Sequence, residues 1–104
     1  AYYLRAMKVR TKLIAEYKSA FKRFDALASP TMPIIAPKFS EIEKLGALQQ
    51  YMMDVLTVPA NLAGFPHISV NAGSVRKMPA GIMFTADHLQ EEKIVRAASA
   101  VEAV

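Results

Sequence analysis

This chain of 104 residues predicts a layered α/β or α+β fold. Three observations carry that reading: an apolar stripe at helical spacing in the first quarter, two β-type runs around a turn in the third, and a second helical stripe at the end. Between them lies a stretch broken by prolines. At this length the chain holds at most one domain, burying only about two-thirds of its unfolded surface.

The elements follow in order. Tyr3, Met7, Ile14, Tyr17, Phe21 and Phe24 recur at steps of three, four and seven, with Leu13 and Ala20 beside them, which predicts an amphipathic core helix over roughly residues 1–24. Asp25 to Ser29 reads as a short buried strand closing at Pro30. Thr31 to Lys38 carries Pro33 and Pro37 just after Pro30 and is too restricted for a helix. Ser40 to Leu45 predicts a helical turn, and Leu48 to Val55 a second short helix. Ile68 to Ala72 is a strand, Gly73 to Met78 a hairpin-like turn with Arg76 and Lys77 exposed, and Gly81 to Thr85 the strand's partner. The final helix is expected to start near Asp87, whose carboxylate caps it while Gln90 reaches back, and to bury Ile94, Ala98, Val101 and Val104. No internal repeat or low-complexity tract is present.

The net charge is +4, unevenly spread. Residues 1–25 hold seven basic side chains against Glu16 and Asp25, a local +5, and the remainder is −1. The first helix therefore has a basic outer face. Two readings apply, a solvated lysine-rich face or a contact with nucleic-acid phosphates, and the first is favoured because the aromatics are expected on the buried side. There is no cysteine, which excludes disulfides and thiolate zinc sites and fits a reducing, cytoplasmic setting. His67 and His88 stand far apart with no acid cluster nearby, an arrangement that speaks against a metal site. No signal-peptide pattern is seen, and no apolar run reaches the ~18 residues that span a bilayer, so no membrane partner is expected.

Function is concentrated in Tyr51 to Ser69, YMMDVLTVPANLAGFPHIS. Asp54 is the one carboxylate in a run that is otherwise almost wholly apolar, and an ionised group loses several kcal/mol of solvation there unless a cation or donor meets it. Two readings stand: a cap, with Asp54 and Thr57 accepting backbone N–H groups at the start of a helical segment, or a ligand site. Pro59, Gly64 and Pro66 then bend the backbone several times through a segment too apolar for a solvent loop, which is how a cavity is shaped.

Those residues resemble the C-terminal motif of the amidase signature family, D-x-x-T-x-P-x-N-L-A-G-x-P-x-I-S-V, and most nearly that of the A subunits of glutamyl-tRNA(Gln)/aspartyl-tRNA(Asn) amidotransferases. Three further segments agree in order: Ala1 to Arg10 with a YYxxAxxVR helix, Ala28 to Pro33 with a PTxPxxA turn, and Ala80 to Leu89 with a P-x-G-(L/I)-Q-(I/L) strand. The chain departs from the pattern at His67, where a small residue is usual, at Asn71, where proline is common, and at Met83, where glutamine is frequent. None of these touches Asp54.

The resemblance implies a mixed sheet covered by helices, of which residues 1–104 would be the C-terminal portion of an amidase domain. A chain that begins and ends in helical pattern, without an initiator Met, is expected to be such a piece. The family's Ser-Ser-Lys chemistry resides on a GGSSGGS-like segment that this chain lacks, and its six serines have no neighbouring base at a recognisable spacing, so no catalytic residue is expected in it and the piece alone is expected to be inactive. Asp54 matches the aspartate that binds the α-ammonium of glutamine, with Thr57 shaping the pocket. The implied partners are the remainder of the A subunit, the B and C subunits, glutamine, and aminoacyl-tRNA indirectly. No cofactor is expected on this chain, since ATP and Mg are used on the partner subunit. The alternatives are part of a stand-alone amidase, or a non-catalytic assembly or nucleic-acid-binding module.

Overall fold

The computed structural model describes all 104 residues. In chain order it contains α1 (Tyr2–Phe21), β1 (Leu27–Pro30), α2 (Phe39–Ile42), α3 (Ala47–Met52), α4 (Val58–Ala63), β2 (His67–Val75), β3 (Met78–Thr85) and α5 (Glu91–Glu102). The strands form one antiparallel sheet in the order β1-β3-β2, with α5 packed along β2 and β3 and α1 against α4. No parallel pair lies within these residues, so the α+β form of the predicted class is the one observed.

The hairpin is longer than predicted. β2 and β3 close through Arg76 and Lys77, both exposed and at φ 52° and 66°, the left-handed conformation of a two-residue primed turn. The predicted turn at Gly73 is a bulge inside β2, where φ is 134°. β1 starts at Leu27, two residues later than the predicted strand, and includes Pro30. It is an edge strand of alternating exposure, which tolerates a proline without losing an inner ladder bond.

α2 and α3 begin where the expected short helices do. In each, the third helical residue reaches back to the backbone N–H that precedes the helix, Glu41 to Lys38 at 3.3 Å and Gln49 to Gly46 at 3.0 Å. The bent segment after Thr57 corrects the expectation: it contains a helix, α4. Pro59 lies in its first turn, where a missing N–H costs nothing, and Gly64 ends it at φ 78° while its N–H and that of Phe65 return to the Ala60 carbonyl. The sharp bend is confined to Gly64 and Pro66. α5 starts at Glu91 rather than near Asp87, because Leu89 adopts φ 63° and the Asp87 carboxylate is taken by Lys18 and by the His88 N–H. Ile94 and Ala98 are buried as expected, Val101 is half-buried and Val104 is exposed.

α1 is not the core helix its stripe predicts. Leu13, Ile14, Tyr17, Ala20 and Phe21 are half-buried, but Tyr3 and Met7 are exposed, since the half-buried positions of α1 all lie in its second half, and Phe24, past the end of the helix, is exposed as well. The centre of that contact is Phe65, 3% exposed, whose ring lies 5.0 Å from Tyr17, 5.4 Å from Phe21 and 4.1 Å from His88, on which it stacks. Burial also pushes the Tyr17 phenol above its ordinary pKa.

Only 8 residues are buried. The radius of gyration is 15.8 Å, against about 13 Å for a compact domain of this length. The accessible surface is 7950 Å², where a folded monomer of this mass exposes about 5,800 Å². Tyr2, Phe39, Leu48, Tyr51, Leu62 and Leu89 are all more than half exposed. This is a slab of 43 × 39 × 17 Å whose apolar faces are largely uncovered.

Candidate substrate-binding segment

Asp54 lies in the turn between α3 and α4, and it is exposed. The apolar wall expected around it does not close: Met52 and Val55 are themselves 50% and 41% exposed, and only Met53 and Leu56 turn inward. No hydrogen bond or ion pair within the chain holds its carboxylate. The side-chain cap reading fails as well, because the residue before α4 is Thr57 and neither side chain caps the helix.

The backbone of Asp54 does the holding instead. Its carbonyl accepts the N–H groups of Thr57 and Val58, each at 3.1 Å, and the Thr57 hydroxyl at 3.1 Å. The Thr57 carbonyl in turn accepts Asn61 Nδ2 at 3.0 Å. Thr57, half-buried, thus ties the turn to α4 and leaves the Asp54 carboxylate facing outward with its hydrogen-bonding capacity free. The structure brings the two sequence-predicted residues together, three positions apart in one turn.

Met53, immediately before Asp54, is part of a groove of about 900 Å³ between the proline-rich loop and the hairpin. Met32, Ile34 and Pro37 line it from the loop, Arg76 and Pro79 from the hairpin, and Glu41 from α2. A smaller hollow of about 510 Å³ is flanked by Asn61, His67, His88 and Glu91. His67 Nδ1 pairs with the Phe65 carbonyl at 3.0 Å, and His88 stacks on the Phe65 ring, so both histidines are engaged in packing around that residue.

Two polar contacts were not foreseen from the sequence. Lys18 Nζ lies 2.5 Å from Asp87 Oδ1 and 5.8 Å from the centre of the Phe65 ring, joining α1 to the end of β3; its ammonium holds the Asp87 carboxyl below the usual carboxylate range. The hydroxyls of Thr31 and Ser69 meet at 2.5 Å. Sixty-nine residues separate the first pair and thirty-eight the second, distances over which spacing carries no signal. The basic residues Arg5, Lys8, Arg10, Lys12, Lys22 and Arg23 are exposed.

An antiparallel sheet with a helix at each end of the chain is shared with solved amidases. One crystal structure of an amidase, 26% identical, superimposes with a TM-score of 0.86 over 97% of this chain and 24% of its own. The chain belongs to the Amidase family, whose sequence profile matches residues 1–95. Nearer relatives are A subunits: the chain is 45% identical over 101 residues to the A subunit of glutamyl-tRNA(Gln) amidotransferase from Methanococcoides burtonii, spanning 97% of this chain and 21% of that protein. It is 40% identical over 102 residues to the same subunit of Heliobacterium modesticaldum, spanning 98% and 21%. The crystal structure of that subunit from Thermotoga maritima is 40% identical, with a TM-score of 0.92 over 98% of this chain and 22% of that one. The chain spans about a fifth of the length of the curated relatives it matches. No helix is long and apolar enough to cross a membrane.

Proposed function

We propose that residues 1–104 form the C-terminal portion of the amidase domain of a tRNA-dependent amidotransferase A subunit. In the whole enzyme this subunit hydrolyses glutamine through an acyl-serine intermediate. The ammonia passes to the B subunit, where ATP and Mg activate the acyl group of Glu-tRNA(Gln) or Asp-tRNA(Asn). The C subunit is part of the same cytoplasmic assembly. The observation that carries this reading is the 45% identity to an A subunit over 97% of the chain. The surface, about 2,000 Å² larger than a monomer of this mass exposes, supports it, because such faces need the remainder of the protein against them.

In this reading Asp54 receives the α-ammonium of glutamine. Its carboxylate has no partner in the chain and is aimed outward from a turn fixed by Thr57, which suits a charge-assisted bond to a cation. Thr57 acts by holding that turn, since its hydroxyl is committed to the Asp54 carbonyl. The nucleophile and base come from the remainder of the subunit.

The test uses the full-length subunit together with its companions. ATP-dependent conversion of Glu-tRNA(Gln) or Asp-tRNA(Asn) with glutamine as nitrogen donor is the expected result. Full-rate hydrolysis of simple amides, with no amidation of charged tRNA, overturns it in favour of a stand-alone amidase.

A further inference from the structure

Thr31 and Ser69 come from opposite sides of the sheet. Thr31 follows β1, Ser69 lies in β2, and the central strand β3 runs between them. Their hydroxyls nevertheless meet at 2.5 Å, and they meet over Gly81. A Cβ there would stand 2.9 Å from Thr31 Oγ1, closer than real Cβ atoms essentially ever come, and 3.0 Å from Ser69 Oγ, tighter than nine in ten real Cβ contacts. The Thr31 N–H donates to the Gly81 carbonyl at 3.1 Å, carrying the β1–β3 ladder one residue past the pairing of Pro30 with Ile82. The bridge therefore needs two hydroxyls and a residue without a side chain between them.

The loop after Thr31 gives the bridge its consequence. No backbone hydrogen bond restrains residues 32–37, although Met32, Ile34 and Pro37 form a wall of the large groove. That loop is tied down at its start by Thr31 and at its end by Lys38, whose N–H bonds Glu41. Met53 packs into the same groove and immediately precedes Asp54.

The geometry points to the Thr31–Ser69 bridge over Gly81 as a positioning device for the glutamine subsite: it sets where the 32–37 loop leaves the sheet, hence the wall that Met53 meets and the direction in which Asp54 is presented. This rests on the reading of Asp54 as the α-ammonium ligand. Neither hydroxyl is a catalytic residue.

The experiment is steady-state kinetics of the full-length subunit in its assembled complex, with Thr31→Val, Ser69→Ala, the double variant and Gly81→Ala. Each single change is expected to raise the glutamine KM about three- to tenfold, the range of one hydrogen bond, with kcat within about twofold of the parent. The double variant is expected to be no worse than the worse single, because both remove the same contact. Thr31→Ser, which keeps the hydroxyl, is expected to restore the parent KM, and amidation driven by free ammonia to stay unchanged throughout. If Thr31→Val fails to assemble, Ser69→Ala carries the test, as Ser69 is exposed. Unchanged KM in every variant, additive effects in the double, or a Thr31→Ser variant as impaired as Thr31→Val overturns the proposal. Asp54→Asn, measured alongside, separates the two levels. If it impairs glutamine use while the bridge variants do not, the bridge alone falls; if it leaves glutamine use intact, the subsite reading falls and the bridge's role with it.

Discussion

Phe65→Ala tests the packing that joins the two halves of the chain. Phe65 is 3% exposed and stands between α4 and β2, with Tyr17 and Phe21 of α1 on one side and His88 on the other, all with ring centres within 5.4 Å. Truncating a buried Phe costs about 3–5 kcal/mol, and three aromatic partners place this site towards the upper end. Its loss also removes the surface on which the second half of α1 rests and the ring beneath Lys18. The assay is urea unfolding of the full-length subunit with hydrogen exchange followed on α1, taking Phe24→Ala, 52% exposed, as the comparison. The expected result is a loss of about 4 kcal/mol with faster exchange over residues 13–21, and less than about 1 kcal/mol for Phe24→Ala. A cost below about 1 kcal/mol for Phe65→Ala, or equal costs at both positions, refutes the assignment of Phe65 as the organising contact.

Two further predictions concern charge and surface. The Asp87 carboxyl is held below the ordinary range, chiefly by its hydrogen bond from Lys18, so the stability it contributes is present above the ordinary carboxylate pKa and is lost as pH falls through the lowered folded value. Between about pH 5 and pH 2 the melting temperature of the full-length protein is expected to fall less steeply in Asp87→Asn than in the parent, and identical slopes contradict the pairing. The isolated chain, with apolar faces uncovered on a 43 × 39 × 17 Å slab, is expected to self-associate and to release no ammonia from glutamine. A monodisperse monomer across a wide concentration range by light scattering, or glutamine hydrolysis abolished by one serine substitution within the chain, contradicts that expectation.

Much of the fold was legible because it is written locally. The 3.6-residue stripe marked α1, the Ile68 and Ile82 runs marked the hairpin, and the apolar spacing of Ile94 and Ala98 marked the buried face of α5. The parts that were not legible depended on distant residues. α4 reads as a broken segment because Pro59 and Pro66 punctuate it, and only the structure shows Pro59 accommodated in the first turn of a helix that Gly64 ends in the left-handed conformation. Asp87 reads as a cap, yet Lys18 from the far end of the chain takes its carboxylate. The stripe on α1 marks a surface that packs, and cannot say that Tyr3 and Met7 remain exposed in this chain. At the candidate site, the pair Asp54 and Thr57 was visible as a motif. Their roles were not, because apolar neighbours such as Met52 and Val55 say nothing about whether they themselves are covered.

The most direct measurement is Asp54→Asn in the full-length subunit within its complex, with glutamine-driven and ammonia-driven amidation measured in parallel. The substitution keeps the size of the side chain and removes its charge, and no partner within this chain is lost with it. A charged hydrogen bond is worth about 1.5–3 kcal/mol, so kcat/KM for glutamine is expected to fall about 10- to 150-fold. Ammonia-driven amidation and the melting temperature are expected to hold, since ammonia bypasses the glutamine subsite and the carboxylate supports no fold contact. Glutamine- and ammonia-driven rates that fall together with the melting temperature, or a glutamine kcat/KM that does not change, contradict the assignment of Asp54 to the substrate.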